Sequence, residues 1–195
     1  MEKEQLKRIF EFLEEKGEHR IPLKWKLINN EPLTKEDLNV KGDLDLSDLE
    51  ITSLPKGLKV GGDLNLDNSN IASLPDDLQV GGSLNLARTN ITSLPEDLNV
   101  KGDLDLRSIE INSLPKGLKV GGNLDLDWTN IISLPKGLEV GGDLFLLSCK
   151  KIKYLPKGLK VGGDIIINGT QLRHYSNDEI KEMIKPGFIK GKISR

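Results

Sequence analysis

Few side chains in this sequence are suited to covalent chemistry. Cys149 is the single cysteine, so neither an intrachain disulfide nor a multi-cysteine metal site can form. The two histidines, His19 and His174, stand near opposite ends of the chain and do not cooperate within one molecule. No H-E-x-x-H, G-x-S-x-G, Walker loop or G-x-G-x-x-G is present. The expectation is a protein that is not an enzyme, with no catalytic residue, no bound metal and no cofactor.

What remains is a set of carboxylates and a few aromatics at regular spacing. Three polar columns recur. The first runs Asp43, Asp63, Ser83, Asp103, Asn123, Asp143, Asp164. The second runs Asp45, Asn65, Asn85, Asp105, Asp125, Phe145, Ile166, and the third Ser47, Asp67, Ala87, Arg107, Asp127, Leu147, Asn168. Like charges stacked at strand spacing repel, so sheet stability alone does not select such columns. In the first column the carboxylates can accept hydrogen bonds from turn amides. In the other two they either attract a basic partner or are solvated surface. Phe145, Leu147 and Ile166 break the polar pattern, and Trp128 stands where other copies carry Asp, Asn, Arg, Ser or Gly. Together they form an apolar cluster rimmed by Asp125, Asp127 and Asp143, the composition of an interface hot spot. Alternatively the C-terminal segment folds over the cluster with Tyr175 or Phe188.

These columns exist because the chain repeats. Val recurs at 40, 60, 80, 100, 120 and 140 and again at 161, within V-[GK]-G-x-L-x-L-x-x-x-x-I-x-S-L-P-x-[GD]-L-x. Seven copies at this spacing specify a repeat architecture. Alternation in Asp63-Leu64-Asn65-Leu66-Asp67 puts the leucines on one face and the polar residues on the other. Equivalent strands then pair in parallel, about 4.8 Å apart. Gly62 and its equivalents are expected at a tight turn with positive φ, and the prolines of L-P-x-x-L favour an extended return path. The sixth copy carries one extra residue within Ser148–Ile152. Aromatic residues make up only 4% of the chain, which suits a core of repeated aliphatic layers. Calcium-binding glycine-rich repeats recur every nine residues, about half this period, so that reading is set aside.

The stretch L-x-L-x-x-[TSC]-x-I resembles the leucine-rich-repeat family over about residues 40–170. The short period and the L-P-x-x-L segment are similar to the repeats of bacterial leucine-rich effectors and of short-repeat proteins of bacteria and phages. The chain departs from the consensus in two respects: Thr and apolar residues largely replace its Asn ladder, and Val-Gly-Gly replaces the Leu before the strand. The resemblance implies an α/β-type solenoid with a parallel sheet of about seven strands and polyproline-like return segments. Some leucine-rich effectors are ubiquitin ligases, but their catalytic cysteine lies in a separate helical domain for which this chain has no room. Cys149 falls in the Thr/Cys slot of its own repeat.

A solenoid needs covered ends. Residues 1–39 are expected to form the N-terminal cap, with a helix over 2–16 (Leu6, Ile9, Phe10 and Leu13 on one side) and a capping strand over Ile21–Leu27. Residues 40–170 are the solenoid. Residues 171–195 form a C-terminal helical cap, started by Ser176 or Asn177, with Ile180, Met183 and Ile184 inward. The three segments carry formal charges of −1, −4 and +3. With a net charge of −2, direct binding of nucleic acid is not expected. No signal peptide or membrane span is visible, so the expected location is cytoplasmic. The expected function is that of a monomer binding a protein partner through the sheet face at Trp128, Phe145, Leu147 and Ile166, with Asp125, Asp127, Asp105 and Asp45 contributing charge. The second reading is an acidic mimic of nucleic acid that occupies a basic site on a target enzyme.

Overall fold

The computed structural model describes residues 21–195; the expected helix over 2–16 and His19 lie outside the described residues. The chain is a parallel β-solenoid. Each coil contributes two short strands separated by the V-G-G corner, and each strand pairs with its equivalent one period away. The leucine strands (Leu44–Asp45, Leu64–Asn65 and so on to Ile165–Ile166) form one continuous sheet. This leucine sheet has eight strands, because Ile193–Ser194 adds a rung beyond the repeats.

A second ladder was not anticipated. The residues ending in the repeat valine pair as Asn39–Val40, Lys59–Val60 and Gln79–Val80, and again from Asn99–Val100 to Phe188–Ile189. This valine ladder turns the V-G-G segment from a turn into a second sheet face. The core lies between the two faces and the return segment, filled by Leu46, Leu66, Leu86, Leu106, Leu126 and Leu146, all fully buried, and their aliphatic neighbours. The L-P-x-x-L segments close as turns in which the last leucine N–H donates to the proline carbonyl, as in Leu118 to Pro115 at 3.2 Å.

The repeat glycines serve a purpose different from the one expected. None of Gly62 and its equivalents has positive φ. A Cβ on Gly62 would instead lie 1.9 Å from the Asp43 carboxylate of the preceding coil. The glycine before it in each coil meets backbone instead of a side chain, since a Cβ on Gly141 would lie 2.0 Å from the Gly121 carbonyl oxygen. Where repeat coils pair in the valine ladder, the close approach of stacked backbones leaves room only for glycine; Lys101 takes the same position next to the interruption between Gln79–Val80 and Asn99–Val100. The left-handed residue of each coil lies further on, at Asp48, Asn68, Arg88, Ser108, Trp128, Ser148 and Gly169.

The ends also differ in detail. The expected capping strand over Ile21–Leu27 is a helix, α1 (Leu23–Ile28). Apolar residues at 21, 23, 25 and 27 fit a strand period, but Leu23 and Leu27 also lie one helical turn apart and pack against the core. Pro22 presets the entry with φ −58°. After the last repeat come a short 3₁₀ turn (Gln171–His174) and α2 (Asn177–Ile184). Ser176 caps α2 in a reciprocal box with Glu179, and Ile180 and Ile184 are buried. Among the described residues no helix is long and apolar enough to cross a membrane.

Candidate functional site

The leucine sheet positions the candidate site by register. Asp105, Asp125, Phe145 and Ile166 are consecutive partners on neighbouring strands, so the polar column becomes apolar over two rungs. Asp127 and Leu147 follow in the next column, where the Leu147 N–H donates to Asp127 Oδ1 at 2.6 Å. Trp128 comes next along the fifth coil, its N–H donating to the Leu147 carbonyl at 2.9 Å. The geometry therefore gathers Asp105, Asp125, Asp127, Trp128, Phe145, Leu147 and Ile166. Asp45 is not among them; it lies four strands from Asp125, roughly 19 Å along the sheet.

Exposure within the patch is uneven. Trp128 is 62% exposed, whereas Phe145, Leu147 and Ile166 are half-buried by their sheet neighbours. The two residues considered as a cover lie elsewhere. Phe188 pairs with Lys160 in the valine ladder, and the Tyr175 ring lies 6.4 Å from that of Tyr154.

Trp128 also holds an unusual backbone conformation. Its φ is 63°, in the left-handed region, where the other coils place Asp, Asn, Arg, Ser or Gly. Tryptophan has neither the freedom of glycine nor the short polar side chain of Asn or Asp, and the conformation costs on the order of 1 kcal/mol.

The apolar rungs change the electrostatics beside them. Arg107 clamps Asp105 with Nε–Oδ1 and Nη2–Oδ2 distances of 3.0 and 2.6 Å, and its Nε lies 3.3 Å from Asp125 Oδ2. Burial pushes the Asp125 carboxyl up to about 6, opposed by the Asp127 N–H and by Arg107. Burial likewise raises Asp127. Half-desolvated carboxylates beside an apolar shelf favour a ligand that brings its own positive charge.

The first acidic column is accounted for internally. Asp43, Asp63, Ser83, Asp103, Asn123 and Asp143 each accept, at 2.7–3.0 Å, the N–H of the equivalent residue one coil on. These side chains form a ladder clamping coil to coil. Cys149 is fully buried, with Sγ 3.0 Å from the Leu126 carbonyl, and burial raises its thiol. It fills the slot in which Ser69, Thr89, Thr129 and Thr170 donate to the carbonyl three residues back. The extra residue of the sixth coil is absorbed at Lys150–Lys151, between buried Cys149 and Ile152.

Beside Ile28, just after the expected capping strand, two exposed apolar residues of the repeats escape the sequence reading. Ile132 is 56% exposed and Tyr154 63%. Comparison of the return segments shows them: Ile132 stands where other copies have Thr52, Ala72, Thr92, Asn112 and Lys153, and Tyr154 replaces a run of serines. Arg107 was counted as one member of a column, whereas it links two carboxylates on neighbouring strands. In comparisons with known proteins, no family model matches the chain, and no curated protein or solved structure matches it.

Proposed function

We propose that this chain is a leucine-rich-repeat protein without catalytic activity, acting as a monomer in the cytoplasm and binding a protein partner through the outer face of its leucine sheet. Phe145, Leu147 and Ile166 form the floor of the site, Trp128 is its anchor, and Asp125 and Asp127 receive a basic group of the partner. Ile193–Ser194 pairs edge-on with Ile165–Ile166 and extends the sheet beyond the patch. The carrying observation is Trp128, an exposed ring in a left-handed position that costs stability.

The reading as an acidic mimic of nucleic acid is less well supported. It needs rows of free carboxylates, but the first column is tied to backbone N–H groups and Asp105 is clamped by Arg107. Affinity isolation with the Trp128→Ala, Phe145→Ala double variant tests the site. Loss of about 2 kcal/mol or more, roughly 30-fold in affinity, is expected for hot-spot residues. Unchanged recovery of the partner sinks the assignment.

A further inference from the structure

The outer face of the valine ladder carries the opposite charge. At the two outward positions of its coils stand Lys41, Lys59, Lys101, Lys119, Lys160 and Lys190, against the single acid Glu139. A groove of about 630 Å³ runs across the later coils, walled by Lys101, Lys119, Lys160 and Lys190. A depression of about 530 Å³ continues it over the earlier coils and shares Asn99 and Lys101 with it. At strand spacing, the eight rungs span about 34 Å.

The floor is bare backbone. Gly121, Gly141 and Gly162 admit no side chain, because a Cβ on each would meet the carbonyl oxygen of the preceding coil at 2.0–2.1 Å. Among the described residues Lys101 makes no ion pair; Glu139 pairs with Lys160 at 2.6 Å and lies beside Lys119, and both lysines hold its carboxyl below its ordinary value. At one end Phe188 is 42% exposed, with the Lys190 ammonium 5.7 Å from its ring centroid.

We propose that this groove binds a single strand of nucleic acid along its length, without sequence preference. Lysines spaced along a trough meet successive phosphates, and an exposed aromatic at its end offers a face for one base. An extended acidic peptide fits less well. Peptide strands add to open sheet edges and are read through side-chain pockets, and this trough is a sheet face with a glycine floor. The net charge of −2 hides the site because lysines and aspartates occupy different faces. Screening over about 8 Å makes local charge what a bound strand meets.

The test is fluorescence anisotropy of a labelled oligothymidylate of about 12 nucleotides with the full chain, titrated between about 50 and 200 mM salt. About four phosphate contacts give a slope of log affinity on log salt near −3. The Lys101→Gln, Lys119→Gln, Lys190→Gln variant, altered only at exposed positions, is expected to lose at least about tenfold in affinity and flatten the slope toward −1. Phe188→Ala weakens binding without changing the slope, and Trp128→Ala leaves it unchanged. Absence of oligonucleotide binding by the wild type at low salt overturns the proposal. So does equal or tighter binding of a polyglutamate peptide, or a slope unaltered in the triple variant. The wild-type titration and the peptide comparison decide the matter even if the triple variant fails to fold.

Discussion

Phe145 and Ile166 face each other across adjacent parallel strands of the leucine sheet, in a column that the five earlier coils fill with Asp45, Asn65, Asn85, Asp105 and Asp125. An aromatic paired with a β-branched residue contributes about 0.2–1 kcal/mol to a sheet. That modest gain accounts for the pair but not for Trp128 beside it, whose ring is exposed.

Trp128→Asn is expected to stabilise the protein by up to about 1 kcal/mol, since Asn tolerates the left-handed conformation better. Asn68 already occupies the equivalent position with φ 54°. Urea midpoints of wild type and variant check this. An unchanged or lower midpoint means that the ring contributes packing in the folded state.

Asp125 gives a pH dependence with a definite sign. Its folded value of about 6 lies above its ordinary 3.8, so between these values the folded state holds more protons than the unfolded chain. Its contribution to stability is therefore lost as pH rises from about 4 through 6. Asp127, also raised, acts in the same direction. The stability of Asp125→Asn relative to wild type should increase across that window; a constant difference contradicts the burial argument.

The coil-to-coil ladder predicts a contrast at one position. Asp143 Oδ1 accepts the Asp164 N–H at 2.7 Å. Asp143→Ala removes that acceptor and should cost on the order of 1–2 kcal/mol. Asp143→Asn should be nearly neutral, because Asn123 performs the same task one coil earlier. Equal losses in thermal melts of the two variants would count against the ladder.

Two glycines separate close approach from backbone freedom. Gly141→Ala drives a Cβ to 2.0 Å from the Gly121 carbonyl oxygen, whereas Gly137, with φ 72°, has nothing within 4 Å of an added Cβ. Gly137→Ala should therefore cost about 1 kcal/mol of conformational strain. Gly141→Ala should cost more, on the order of 1–3 kcal/mol or beyond. The ranking is read from denaturant midpoints and fails if Gly137→Ala is the worse.

The solenoid itself was legible because its signal is repeated in every coil. Leu64 and Leu66 alternate with polar neighbours in the same way at each period, and their burial follows. The valine ladder was not legible, because a two-residue strand at Lys59–Val60 leaves no alternation to detect. The purpose of Gly62 is hidden for a related reason: positive φ is a local property, whereas contact with Asp43 involves the preceding coil. The helix α1 reads as a strand in the sequence because Ile21–Leu27 satisfies both periods and only packing of Leu23 and Leu27 decides between them. At the candidate site, departures from the repeat located Trp128 and Phe145. The clamp of Arg107 on Asp105 and Asp125 depends on side-chain reach across strands, which no column of letters contains.

The most direct test of the central claim places a photo-cross-linking residue at position 128 and, as a control, at exposed Lys119 on the opposite ladder. Position 128 should capture one defined protein from native cells, and that capture should fall at least about tenfold when Phe145→Ala is added. No defined partner from position 128, the same partner from both positions, or capture indifferent to Phe145→Ala would contradict the assignment of this face as the binding site.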